Sequence, residues 1–155
     1  MNALVRLLAT FFGIGHIPFA SGTFASAAAL PLGFGLIVLG WQALAAASIV
    51  AVGLGIWACG RHAAGLEVVD PSECVLDEVA GQWIALAPIA LFSRPFDWAP
   101  YVLGFFLFRL FDVLKFWPMS AAEALPGGYG VMADDVLAGF LAACFVYAAL
   151  AAGWV

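Results

Sequence analysis

The chain has 155 residues, of which 66% are hydrophobic and only 10% are charged. A soluble domain carries about 25% charged residues, so this composition predicts an integral membrane protein. The formal net charge of −5 excludes nucleic-acid binding as a function class, because that class needs a basic face.

The first element is a short apolar stretch near the N-terminus that contains Arg6. We predict a short helix over about 3–12 that lies at the membrane surface rather than crossing it. A signal peptide is the alternative for this stretch. His16 and Pro18 interrupt the signal-peptide pattern, so the interfacial helix is preferred.

A loop rich in glycine, serine and threonine, "GIGHIPFASGTFAS", leads into the first long apolar run. It lacks the third glycine of a dinucleotide fingerprint and the Gly-Lys-Ser/Thr of a P-loop, so neither nucleotide motif applies. Backbone N–H groups at a helix N-terminus still bind anions. Ser21, Gly22 and Thr23 are therefore candidates for phosphate contact, with an ordinary turn as the alternative. His16 is a weaker candidate, as a proton donor.

Long apolar runs fill most of the remaining chain. Between Arg6 and Arg61 there is no charged residue, and a bilayer needs about 20 apolar residues per helical crossing. That run holds two crossings with a hairpin at "GWQ", or one long bent helix. Apolar runs without alternation indicate helices. We predict one all-α domain over 1–155, a bundle of four to five crossings at about 25–40, 43–60, 78–93, 98–115 and 134–154.

Five crossings place the segments 1–24, 61–77 and 116–133 on one side of the membrane. Four of the five basic residues fall on or near that side, and only Arg94 lies opposite. The positive-inside rule makes this side the cytoplasm. Nine of the ten acids, all but Asp97, lie on or near the same face, so the polar chemistry is predicted to be one-sided.

Two acidic pairs open apolar runs, at "LDEVAGQW" and "ADDVLAGF", and both continue with a valine and small residues. One acid at a helix start is explained by capping, which is worth about 0.5–2 kcal/mol. A second carboxylate adds repulsion at low dielectric, and two such pairs in a charge-poor chain favour a bound cation. Carboxylate oxygens suit Mg²⁺, which often completes its shell with substrate phosphate. Asp77, Glu78, Asp134 and Asp135 are therefore predicted metal ligands, and pure capping is the alternative.

The fourth apolar run ends in "FRLFDVLK", where Arg109, Asp112 and Lys115 share one broad face of a helix. In the functional interpretation the two cations hold phosphate oxygens and Asp112 binds the metal or orients a base. The alternative is a helix end whose cations snorkel to the interface and pair with Asp112. In the acidic run "EVVDPSECVLDE", Asp70 is a weaker ligand candidate in a turn that is otherwise solvated.

Three motifs in this order, "PFASGTFAS", "DPSECVLDEVAGQW" and "FRLFDVLKFWP…GGYGVMADDVLAG", resemble those of the phosphatidylglycerophosphatase A family of bacterial lipid phosphatases. The resemblance covers nearly the whole chain. Ser21 stands where the family usually has a proline, and Phe116 stands where a proline usually follows the lysine. Both departures change loop rigidity and leave every acid in place.

The resemblance implies a Mg²⁺-dependent hydrolase that converts phosphatidylglycerophosphate to phosphatidylglycerol and phosphate in phospholipid biosynthesis. It also implies an all-helical fold in the bacterial inner membrane, with the site facing the cytoplasm. The implied metal ligands are Asp77, Glu78, Asp112, Asp134 and Asp135, and the implied cations are Arg109 and Lys115. Catalysis is assigned to Asp77, Asp112, Asp134, Arg109 and Lys115, with either a water or an aspartate as nucleophile.

Other function classes stay open at this point. A cation-coupled transporter would place its acids near the middle of the bilayer, whereas these acids cluster at predicted helix ends. Another lipid phosphotransferase is a second alternative, although the acidic and histidine motifs of the better-known classes are absent from the sequence. A non-catalytic membrane scaffold is the weakest alternative.

Overall fold

The computed structural model describes residues 2–68 and 71–155, which form helices and connecting turns without a β-strand. A short α1 and a 3-10 turn precede two long helices, and two short helices, a long one, another short one and a final long one follow. Their bounds are α1 Ala3–Ala9, the 3-10 turn Ile14–His16, α2 Ser21–Leu39, α3 Trp41–Leu66, α4 Leu76–Ala85, α5 Ala87–Leu91, α6 Trp98–Leu114, α7 Met119–Ala122 and α8 Gly128–Ala151.

Within the described residues, three helices are long and apolar enough to cross a bilayer: α2, α3 and α8, with 19, 26 and 24 residues. Large apolar side chains on the outside of the bundle are widely exposed, for example Ile49 at 73% and Phe106 at 64%. Soluble proteins rarely expose such surfaces, whereas lipid covers them at no cost. The predicted all-α membrane bundle is confirmed, and α6 also agrees with its predicted bounds.

The first two spans are separate helices, so the alternative of one long bent helix is wrong. They meet at Gly40, whose φ of 114° lies in a region that side chains other than glycine rarely adopt. The turn is shorter than the predicted hairpin, and α3 runs on to Leu66 beyond the predicted end near residue 60. Its last part, including His62, is therefore helical where the sequence favoured a loop.

The third predicted span is not one continuous helix. It divides at Leu86 into α4 and α5, and Pro88 stands in the first turn of α5. Proline has no N–H to donate to the carbonyl four residues earlier, so one hydrogen bond that an unbroken helix would make is missing at this division. The prediction of an unbroken helix over about 78–93 is wrong at this point.

The last helix begins earlier than predicted, at Gly128 rather than near residue 134. Gly127 precedes it with φ 60° and ψ −140°, a conformation that glycine adopts without strain. A Cβ atom on Gly128 would overlap the carbonyl oxygen of Ile56 in α3. The glycines that indicated a loop thus allow close packing of α8 on α3, and Asp134 and Asp135 lie two turns inside the helix.

The N-terminal helix is shorter than predicted and ends at Ala9. Thr10 closes it, because its hydroxyl donates a hydrogen bond of 2.8 Å to the carbonyl of Arg6. Phe11 and Phe12 follow with positive φ angles, which no helix contains.

A close crossing of α4 and α8 lies at the centre of the bundle. A Cβ atom on Gly139 would lie 2.5 Å from the carbonyl oxygen of Gly81, and one on Gly81 would lie 2.7 Å from the carbonyl oxygen of Asp135. Phe108 of α6 is fully buried against the same crossing. Two glycines therefore let the two backbones touch, as small residues do in membrane helix pairs.

We expect Gly139→Ala to force α4 and α8 apart, because the added methyl meets main-chain atoms that cannot move aside. Overpacking of this kind costs about 1–3 kcal/mol, which thermal unfolding in detergent would register. Gly53→Ala is the matched control, since its Cβ would meet nothing within 4 Å. Equal melting temperatures for the two variants would contradict the close crossing.

Candidate functional site

A polar cavity of about 260 Å³ opens at one end of the bundle. The start of α2, the chain before α4, the first turn of α4, the end of α6 and the second turn of α8 contribute to it. Its walls hold five acids and two cations, together with small polar and apolar residues. The lining residues are Ser21, Pro71, Ser72, Cys74, Asp77, Glu78, Arg109, Asp112, Val113, Lys115, Asp134 and Asp135.

Three of the five predicted ligands form a tight carboxylate group. Asp77, Glu78 and Asp135 each offer an oxygen atom, and these oxygens all lie within 4.8 Å of one another. Asp135 is 3% exposed. Among the described residues, Glu78 Oε2 and Asp135 Oδ2 are buried and accept no hydrogen bond. Because an unpaired buried carboxylate oxygen is costly, this group has the form of a cation site.

The helix crossing explains how acids from distant parts of the chain meet. Asp77 and Glu78 lie in the first turn of α4, where the helix dipole favours negative charge. Asp135 lies one turn before Gly139, at the close contact with Gly81. The faint likeness between "DEVAGQW" and "DDVLAGF" thus corresponds to two helices that touch through glycines next to their acids.

Arg109 lies between two carboxylates at the end of α6. Its Nη1 pairs with Asp112 Oδ2 and lies 3.9 Å from Glu78 Oε1. Asp112 also lies close enough to Asp135 for their carboxylates to interact. Gly22 of α2 closes this side, because a Cβ atom there would overlap Glu78 Oε1 and lie 3.1 Å from Arg109 Nη1.

Lys115 stands on the other side of the cavity, at the residue that follows α6. Its Nζ lies 2.9 Å from Asp134 Oδ2 and 3.0 Å from Glu123 Oε1. Partial burial lowers the pKa of Lys115, but hydrogen bonds to the two carboxylates and their charges outweigh it and raise the pKa above its ordinary value. The side chain therefore keeps its charge at every physiological pH.

The two remaining predicted ligands lie in the cavity but outside the carboxylate group. Asp112 pairs with Arg109, and Asp134 pairs with Lys115. Their assignment as metal ligands stays a prediction. Asp134 and Asp135 point to different partners because neighbouring residues on a helix are about 100° apart.

Of the candidates in the first motif, Ser21 lines the cavity, and Gly22 packs behind it against Glu78. Ser21 lines the cavity at the N-terminus of α2, and its hydroxyl donates a hydrogen bond of 3.0 Å to the carbonyl of Ser72. Thr23 is half-buried in the same helical turn and does not line the cavity. Asp70 lies outside the described residues.

His16 belongs to a different cluster, around Glu73. His16 Nδ1 lies 3.8 Å from Glu73 Oε2, and the fully buried His62 places its Nε2 3.2 Å from the same oxygen. Together they hold the short segment 71–75 that forms one wall of the cavity. The sequence indicated Glu73 only as part of a solvated acidic loop, and nothing local connected it with His62.

The residues that line the cavity have the chemistry of a site for a divalent cation. The cavity holds five acids and two cations, and two carboxylate oxygens of the tight group lack a partner among the described residues. Among the described residues, the ligand atoms that converge in the tight group are carboxylate oxygens, which suit Mg²⁺ or Ca²⁺ rather than Zn²⁺. Asp77, Glu78 and Asp135 are thus the residues that could hold the ion.

Comparisons with known proteins agree with the motifs. The family model for phosphatidylglycerophosphatase A matches residues 7–150. The chain is 35% identical to phosphatidylglycerophosphatase A of Escherichia coli K12, over 92% of the chain and 81% of that protein. It is 38% identical to the Haemophilus influenzae protein of the same name, over 93% and 87%.

A third relative carries a different name. The chain is 39% identical to a Bacteroides thetaiotaomicron protein provisionally named phosphatidylinositol-3-phosphatase, over 86% of the chain and 85% of that protein. Both names describe removal of a phosphate from a phospholipid headgroup. No solved structure gives a significant match to the chain.

Proposed function

Because the chain belongs to the phosphatidylglycerophosphatase A family, we propose that it hydrolyses the terminal phosphate monoester of phosphatidylglycerophosphate to phosphatidylglycerol and phosphate. The cavity that joins a carboxylate group to two cations carries this proposal. Two of the relatives are named for this activity, and the third is named for a phosphatidylinositol phosphate. The shared chemistry is a phosphate monoester on a membrane lipid.

The proposed cofactor is Mg²⁺, held by Asp77, Glu78 and Asp135. Three carboxylates leave room for water and substrate oxygens, which is how Mg²⁺ is commonly bound beside phosphates. A divalent cation at this position supplies a Lewis acid that stabilises charge on the phosphate oxygens. It would also offset most of the excess negative charge in the cavity.

The side chains of the cavity have separate proposed roles. Arg109 and Lys115 exchange part of their present carboxylate contacts for phosphate oxygens. Asp112 and Asp134 keep these two cations in place, and either can accept a proton from the attacking group. Ser21 and Gly22 bring the N-terminus of α2, with its partial positive charge, to the phosphate. Such positioning and charge stabilisation supply most of the catalysis in phosphoryl transfer.

Exposed aromatic side chains at both ends of the bundle support a lipid substrate. Large aromatic side chains near the cavity end of the bundle are exposed, including Phe116 at 52% and Trp117 at 82%. Trp98 at 75% and Trp154 at 81% mark the opposite end. Aromatic belts of this kind lie at the headgroup level. We therefore propose that the cavity lies at the headgroup level of the inner membrane and faces the cytoplasm, as the distribution of basic residues favours.

A cation-coupled transporter has no comparable support. Its acids would follow a path through the bundle. Among the described residues, the acids instead line one cavity or lie near that end of the bundle. The exception is Asp97, which pairs with Arg94 in the turn before α6.

The direct test measures phosphate release by the purified protein in detergent. We expect release from phosphatidylglycerophosphate, a loss of about 100-fold or more in EDTA, and recovery when Mg²⁺ is added back. Full activity in EDTA would contradict the metal site. Phosphatidylinositol 3-phosphate and soluble glycerol phosphate are run in parallel, so that release from either one alone would reassign the substrate.

A further inference from the structure

Glu123 is a charged residue that contacts the site without lining it. It follows α7, and its Oε1 lies 3.0 Å from Lys115 Nζ. The polar cavity is lined by Lys115 and Asp134, and Glu123 is absent from its walls. The closest contact of Glu123 with the cavity wall is the ion pair with Lys115, so its effect on the chemistry is expected chiefly through that lysine.

The backbone around Glu123 is fixed from two directions. Met119, at the start of α7, is 1% exposed and packs in the apolar cluster that contains Phe108 and Phe111 of α6. A Cβ atom on Gly130 of α8 would lie 2.7 Å from the carbonyl oxygen of Glu123. The carboxylate thus projects from a backbone held against both α6 and α8.

Lys115 by itself is poorly constrained. It follows the last residue of α6 with φ 42°, and its side chain is 34% exposed. A lysine chain has four rotatable carbons, and a compact ammonium with one partner can turn about that contact. Asp134 and Glu123 approach Nζ from α8 and from the end of α7. Two acceptors from different elements narrow the range of positions open to the ammonium beside the cavity.

We propose that Glu123 is a positioning residue that holds Lys115 ready for the substrate phosphate. This inference rests on the proposed function, in which Lys115 binds a phosphate oxygen. A second acceptor also keeps Lys115 from collapsing entirely onto Asp134, which would neutralise both groups. Ordering of one flexible side chain before binding is worth up to about tenfold in affinity. Loss of Glu123 should therefore weaken substrate binding more than it slows the chemical step.

The test is a double-mutant cycle on the full-length protein, with phosphate release from phosphatidylglycerophosphate as the readout. Glu123→Gln is expected to raise KM about tenfold and to change kcat less than about twofold. Glu123→Asp, which keeps the charge with a shorter reach, should give an intermediate KM. In a Lys115→Met background, Glu123→Gln should have no further effect, because its target is gone.

Glu67→Gln is the matched control, since Glu67 follows α3 and does not line the cavity; it should leave KM unchanged. Melting temperatures of all variants identify any that fail to fold. With an active wild type, two results would overturn the positioning role. One is that the fold-changes in KM of the Glu123 and Lys115 variants multiply in the double variant, and the other is that Glu123→Gln leaves KM unchanged. If the wild-type protein released phosphate from none of the lipid phosphates tested, the proposed function would be overturned instead, and this inference with it.

Discussion

Asp135→Asn is expected to lose about a thousandfold or more in kcat for lipid phosphate release while remaining folded. Asp135 is almost completely buried, and its Oδ2 has no hydrogen-bond partner among the described residues. Asparagine has the same shape but no charge, so it is a far weaker ligand for a hard cation. Loss of the ion would remove several kcal/mol of charge stabilisation from the transition state, which corresponds to a thousandfold or larger loss in kcat.

The stability of the same variant distinguishes a cation site from a structural role. Without divalent ions, Asp135→Asn should melt at the wild-type temperature or above it, because the substitution removes a buried charge from a cluster of acids. Added Mg²⁺ should raise the melting temperature of the wild type and leave that of the variant unchanged. Asp97→Asn, at an acid that pairs with Arg94 away from the cavity, is the matched control.

Two results would contradict this account of Asp135. One is a variant with kcat within about tenfold of the wild type, which is too small a loss for a ligand of the essential ion. The other is equal stabilisation of wild type and variant by Mg²⁺. Either result would mean that the carboxylate group binds no cation and that its acids interact only with one another.

The long helices could be predicted from the sequence because a segment that crosses a lipid bilayer must satisfy its own backbone hydrogen bonds. A run such as that of α3 must be helical in a bilayer, since its backbone polar groups find no other partners in hydrocarbon. The prediction errors lie where the packing of one backbone against another determines where a helix begins or ends. Gly127 and Gly128 indicated a loop by composition, but their small size allows the first turn of α8 to lie against α3. No local pattern carries that information.

The site was predictable in composition and less so in arrangement. All seven charged residues predicted for the site, five acids and two cations, line the cavity, because ionisable residues in a membrane protein so poor in charge usually have a function. How they pair was not predictable, since Asp134 and Asp135 are adjacent in sequence and face different partners. Glu123 and Glu73 were missed for the same reason, because their roles depend on contacts with Lys115 and His62.

Gly22→Ala is expected to reduce kcat/KM by about 100-fold or more without unfolding the protein. The new Cβ atom would overlap Glu78 Oε1 and lie 2.8 Å from Glu78 Cδ. The obstructed atoms are the end of a flexible side chain, so the fold can adapt while the carboxylate moves out of its group. A displacement of about 1 Å at a reacting centre costs about this much in rate. Arg109, 3.1 Å from the same Cβ, would also shift.

Gly35→Ala in the same helix is the matched control, because its Cβ would meet nothing within 4 Å. Both changes replace glycine by alanine in α2 and raise helix propensity by about 1 kcal/mol, so a general effect of the substitution would appear in both. Only Gly22→Ala should lose activity and the stabilisation by added Mg²⁺. If the two variants are equally active, Glu78 is not held by contact with α2, and the proposed cation site loses one of its three ligands.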